Sequence, residues 1–224
     1  MSAEITGSAA MIEALLSGAD PAPDSVDGTG EEIDDAMHPL LVAGLAAARR
    51  PAFRVWTEGI DPGVTALGDR AGSVLVLDEP TGERTLVGMS SEEVPLALAG
   101  AVDLGPRPVP DGPPVRLPPA AMAELIGRGQ AHGHGLPPAD ADALGRRLEP
   151  GVRHWSVRCF GAEGQGGERR GDVEVVEGDG GIWRVRTADG VVELAPTSST
   201  AVLRDLVALL GEPPAARGRG SSGV

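Results

Sequence analysis

The hydrophobic pattern changes period several times along this 224-residue chain. From His38 to Arg50, "HPLLVAGLAAARR" predicts a helix that ends before Pro51, with arginines placed to suit the negative end of its dipole. "AFRVWTE" then alternates, with Phe53, Val55 and Thr57 on one face and Arg54, Trp56 and Glu58 on the other, as a half-exposed strand does. "SVLVLDEPTGERTLVG" predicts two strands around a turn at 79–82, and Val74 to Leu77 are apolar on both faces, as an inner strand requires. Ser90 and Glu93 make a capping-box pair ahead of a helix over about 91–103.

Residues 105–119, "GPRPVPDGPPVRLPP", are too rich in proline for a helix or a central strand and predict an extended, stiff connector. "AAMAELIGRG" and "PPADADALGRRLEP" predict two short helices. The strand period then returns in "HWSVRCFG", "GDVEVVEG", "GIWRVRT" and "GVVELAP". The last periodic segment, "TSSTAVLRDLVALLG", carries an apolar stripe of Val202, Leu203, Leu206, Leu209 and Leu210, with Ser199 as N-cap and Gly211 past its end. Two segments thus share one plan of strand, glycine-rich loop, hairpin and serine-started helix. Phe53 corresponds to Trp155, Val74 to Val173, and "SSEEVPLAL" to "SSTAVLRDL". The predicted fold is α+β, with two pseudo-symmetric halves of antiparallel strands with packed helices, joined by the Pro-rich linker.

Composition sets the limits of this picture. With 33 glycines and 20 prolines the chain lies just short of the low-complexity range, so unstructured segments are expected around a folded centre. Residues 1–37 hold nine acids and no base, out of a net charge of −14, and predict an acidic disordered tail. Inside it, Met11, Ile12, Leu15 and Leu16 keep helical spacing, which leaves a short docking helix open. The expected organisation is the tail over 1–37, an N-terminal half over 38–104, the connector over 105–119, a C-terminal half over 120–212 and a disordered tail over 213–224. Clustered cations are lacking, which argues against nucleic acid. The start has neither the basic region nor the apolar run of a signal peptide, and no segment is apolar for long enough to span a membrane. A cytoplasmic location is expected.

The candidate chemistry is sparse. No lysine occurs, which excludes a Walker A or Schiff-base lysine. All the basic residues are therefore arginines, a usage associated with GC-rich, actinobacterial coding. Glycines 180, 181 and 190 sit between alternating strands with no helix behind them, so they read as hairpin turns rather than a phosphate cradle. "GAEGQGGERRGD" misses the third glycine of a dinucleotide loop and leads into a strand. His132 and His134 lack a third ligand, and Cys159, the one cysteine, sits at an inward strand position. Neither a catalytic, cofactor nor metal site is expected. Trp155 and Trp183 are predicted core anchors, whereas Trp56, between charged neighbours, is predicted to face a partner.

The elements "LLVAGLAAARRPAFRV", "GSVLVLDEPTGERTLVGMSSEEVPLALAGAV", "VRLPPAAMAEL" and "GDVEVVEGDGGIWRVRTADGVVELAPTSSTAVLRDLVALL" together resemble the EspG family. These are secretion-associated chaperones of actinobacterial ESX (type VII) systems. The resemblance spans roughly residues 38–211. Where that family carries an Asp-Thr-x-x-Gly-Arg-Tyr pattern, this chain has "EGDGGIWR", which keeps the glycine and an aromatic but not the tyrosine. The resemblance implies a non-enzymatic cytoplasmic chaperone that needs no cofactor. Its partner would be a secreted, helical PE/PPE-like client, shielded before export, with the C-terminal helix and the outer sheet face as binding surfaces. Trp56, Arg184, Arg186, Leu203 and Leu206 are the expected protein-binding residues. The alternative is an unrelated acidic binding protein, such as a toxin-neutralising immunity protein.

Overall fold

The computed structural model describes residues 3–19, 38–128, 144, 148, 152–161 and 169–211. Ten strands among them form one sheet, antiparallel throughout, in the order β1-β5-β4-β3-β2-β7-β8-β9-β10-β6. In the N-terminal half these are β1 (Ala3–Ser8), β2 (Phe53–Glu58), β3 (Val64–Gly68), β4 (Ser73–Asp78) and β5 (Glu83–Met89). In the C-terminal half they are β6 (Val115–Leu117), β7 (Arg153–Gly161), β8 (Arg169–Gly178), β9 (Gly181–Ala188) and β10 (Val191–Thr197). The described helices are α1 (Ala9–Ser17), α2 (Pro39–Ala48), α3 (Val94–Ala101), α4 (Pro119–Arg128) and α5 (Ser199–Leu210).

The order is symmetric about the β2–β7 junction. Each half is a four-strand meander whose last strand is flanked by an edge strand from earlier in the chain. The α+β class and the two pseudo-symmetric halves of the sequence reading are therefore present, but one pairing within it is corrected. Order equates β3 with β8 and β4 with β9, so Val74 on β4 is not the counterpart of Val173 on β8. The two valines even serve different cores. At five residues β3 is too short for its alternation to mark a strand, and without it the correspondence slips by one strand. Phe53 and Trp155, on β2 and β7, do occupy matching places.

Three cores follow from strand alternation. Odd-numbered residues of β2 and β7, such as Val55, Trp155 and Val157, point to one face, where they pack with Val94 and Leu98 of α3 and Val202 and Leu206 of α5. On the opposite face, Ile12 of α1 and Leu41 and Leu45 of α2 cover Val74, Val76 and Leu86. On that same face of the C-terminal half, Ala121, Met122 and Leu125 of α4, with Leu144 and Leu148, cover Val176, Trp183 and Leu194. Trp155, Trp183 and Cys159 are fully buried, the last in an apolar setting that pushes its thiol up to about 11.

The N-terminal segment departs from expectation. Residues 3–17, read as part of a disordered tail, form β1 and α1. Ile12 is fully buried, Ser8 caps α1 by accepting from the Met11 amide, and Glu13 pairs with Arg84 at 3.0 Å. Local charge predicted disorder, and burial of one apolar face over β5 and α2 outweighs it. Residues 20–37 and 213–224, His132 and His134, and most of the predicted helical segment 137–150 and of the 161–172 loop lie outside the described residues.

Smaller differences concern ends and caps. Glu93 accepts from both the amide and the hydroxyl of Ser90, but the α-helix begins only at Val94. Ser198, not Ser199, caps α5 by accepting from the Ala201 amide. Ser199 instead donates to the Gly105 carbonyl at 2.6 Å, fixing the start of the proline-rich segment against α5. That segment also supplies β6 as a sheet edge. The Asp189–Gly190 turn between β9 and β10 has positive φ at both residues, 52° and 73°, as a two-residue hairpin demands.

Candidate protein-binding face

The even-numbered residues of β2 and β7 lie on the face away from α3 and α5, between the two helix-covered cores. Register places Arg54 opposite Phe160, Trp56 opposite Arg158 and Glu58 opposite Ser156. On β8, Glu174 stands opposite Ser156 and Asp172 opposite Arg158. The strip thus crosses the pseudo-symmetry junction and draws on strands about a hundred residues apart in sequence.

At its centre Trp56 and Phe160 stack, with centroids 4.3 Å apart and planes 10° from parallel. Both rings are half-buried, so neither disappears into a core nor stands free. A stacked pair of this kind gives a rigid apolar plate at small entropic cost, the usual chemistry of an interface anchor. Around it the polar side chains are paired: Arg158 with Glu58 at 2.7 Å, His154 with Glu174 at 2.8 Å and Arg169 with Asp172 at 2.9 Å. The His154 hydrogen bond holds the Glu174 carboxyl below its ordinary range, against the opposing effect of desolvation. Paired rim charges let an apolar partner reach the plate without stranding a lone ion.

The residues singled out from sequence do not come together. Trp56 lies on this face. Arg184 points to the other one, toward α5, where it bonds Asp205 at 3.1 Å and donates to the carbonyls of Glu174 and Asp172 at 2.9 and 2.8 Å. The β8–β9 ladder extends only from Val175–Arg184 to Gly178–Gly181, so the guanidinium replaces ladder bonds where β9 leaves β8. Arg186 is exposed on β9 opposite Glu193, which itself pairs with Arg116 at 3.2 Å. On α5 itself Leu206 is fully buried against the sheet and Leu203 is half-buried. The exposed large apolar residues of α3 and α5 are instead Leu96 and Val207. Phe160 was overlooked, although its alternation with Ser156 and Arg158 carried the signal.

No group of three or more potential metal-ligating side chains occurs among the described residues, and no helix among them is long and apolar enough to cross a membrane. No protein-family model and no curated protein matches the sequence. The fold does match solved structures, among them that of the Mycobacterium tuberculosis type VII secretion system chaperone EspG5 in complex with the PE25-PPE41 dimer. The match has a TM-score of 0.61 and 15% identity, and covers 95% of this chain and 97% of that one. The chain has the fold of a type VII secretion system chaperone.

Proposed function

We propose that this protein is a non-enzymatic cytoplasmic chaperone that binds a secreted, PE/PPE-like client and shields its apolar surface before export. The observation that carries this reading is the end-to-end match to EspG5, a chaperone solved with a PE25-PPE41 dimer bound. The stacked Trp56–Phe160 plate supports it, since it offers a helical client an apolar seat inside a rim of satisfied charges. Arg186, on the other side of the sheet, is a secondary contact at most.

The test is co-expression with a PE/PPE pair from the same source, followed by capture through washes of rising salt. Retention at high salt is expected, because apolar contact is weakly screened. Trp56→Ala should reduce affinity by roughly thirtyfold, the scale of an interface hot spot, with the circular dichroism spectrum unchanged. A partner that is basic and released by salt would favour the immunity-protein reading, for which the net charge of −14 speaks. No binding to any such pair would end the chaperone reading.

A further inference from the structure

The two ends of the sheet are finished differently. At one end β6 is three residues long, bounded by Pro113 and Pro114 before it and by Pro118 and Pro119 after it. Short length and flanking proline are the ordinary protections of a sheet edge. At the other end β1 is six residues long, contains no proline and pairs with β5 over Ala3 to Ser8 in unbroken register. Among the described residues nothing pairs with its outer side. Among the described residues its outward amides and carbonyls are left without a strand partner, and Glu4 is its one ionisable side chain.

We propose that β1 pairs antiparallel with β1 of a second copy of this chain, forming a two-fold dimer whose sheet runs through both molecules. This goes beyond the proposed chaperone function and does not depend on it.

The strand's own residues complement one another in such a pair. Directly opposed residues of an antiparallel pair share a face, so a two-fold axis must pass through a residue rather than between two. An axis at Ile5 sets Ile5 against Ile5 of the second copy, Glu4 against Thr6, and Ala3 against Gly7. The strand's acid then meets a hydroxyl, and its apolar residue, which already packs against the α1–α2 core, meets its own kind. The molecule uses the same operation internally, since β2 and β7 join its two halves edge to edge and antiparallel.

The register makes a charge test possible at Thr6, an exposed residue whose hydroxyl bonds Thr85 at 2.9 Å. Thr6→Glu sets like charges opposite Glu4 twice per dimer, and Thr6→Lys sets opposite charges there twice. Both substitutions lose the same bond to Thr85, and a thermal melt of each variant at low concentration reads separately what the new charge does within one molecule, beside Glu4 and the Glu79 that accepts from Thr85. Sedimentation equilibrium of the full chain, from low-micromolar to near-millimolar concentration, should show the wild type moving from 22.8 kDa toward twice that mass. The dissociation constant should be raised by Thr6→Glu and lowered by Thr6→Lys, the two differing on the order of tenfold at low salt. A single 22.8 kDa species throughout, or a dimer whose constant is the same in both variants, would overturn the proposal.

Discussion

The two halves share a topology and differ in how they hold their helices to the sheet. In the N-terminal half α2 lies directly on the strands. A Cβ at Gly44 would come within 2.5 Å of the Ser73 carbonyl, and one at Gly88 within 2.5 Å of Leu41 Cα. In the C-terminal half α4 rests on bulk, with Met122 and Leu125 packed in one core with Trp183. Only on the shared face do the halves match closely, where Leu98 of α3 and Leu206 of α5 are both fully buried in one core. Where both halves build a single core they pack alike, and where each builds its own they differ.

The sharpest way to break that comparison is at the matched leucines. Leu98→Ala and Leu206→Ala should each destabilise by about 2–5 kcal/mol, the cost of lost burial plus a residual cavity. If the halves are equivalent on this face, the two losses agree to within about 1 kcal/mol by urea titration, allowing for context. A much smaller loss at Leu206 would mean that α5 is an appendage rather than the partner of α3.

A second test addresses a feature of the C-terminal half alone. Glu177 is 3% exposed, accepts from Trp155 Nε1 at 2.5 Å, and has Arg107 and Arg153 at 3.6 and 3.8 Å. Arg107 belongs to the proline-rich segment, so this carboxylate ties that segment to β7 and β8. Phe53, the N-terminal counterpart of Trp155, has no donor that would need such an acceptor. Glu177→Ala should therefore cost about 2–3 kcal/mol, because it strands a buried indole N–H and removes one of the two carboxylates, Glu177 and Asp103, that the arginines share. Glu177→Gln keeps an acceptor and should cost less, and equal losses would locate the effect in charge alone.

The glycine contact offers a smaller test on the other side. Gly88→Ala should cost about 1–3 kcal/mol, since the atoms met are helix backbone and α2 must lift off the strands. A neutral result would mean that α2 is free to shift, and the contrast with α4 would lose its basis.

Legibility in the sequence followed how local each cause was. The strands of the C-terminal half alternate cleanly, as at Trp155, Val157 and Cys159, and the Asp189–Gly190 turn advertises itself. β3 did not, because five residues between Gly63 and Asp69 show too little alternation to register. β1 and α1 were hidden by the acids around them, since what orders them is Ile12 meeting a core assembled from residues 41–86. The same division holds for the candidate face. Trp56 was legible from its charged neighbours, but its stacking on Phe160 depends on β2 lying beside β7. Arg184 looked available for a partner because nothing local shows that β9 leaves β8 and that the carbonyls left behind need a donor.

The smallest expected effect concerns the His154–Glu174 pair, beside the aromatic plate and set on C-terminal strands only. Glu174 is held below its ordinary 4.5 chiefly by the His154 hydrogen bond. A carboxyl depressed by folding binds its proton more readily in the unfolded chain, so its contribution is complete above the ordinary value and is lost as pH falls through the folded one. His154→Ala should therefore lower stability near neutrality and have progressively less effect as the solution is acidified below pH 4.5. Denaturant titrations of both proteins across that range would check it. A difference that stays constant with pH would show that His154 acts by packing, and the pair could then be dropped from the features that set the C-terminal side of the face apart.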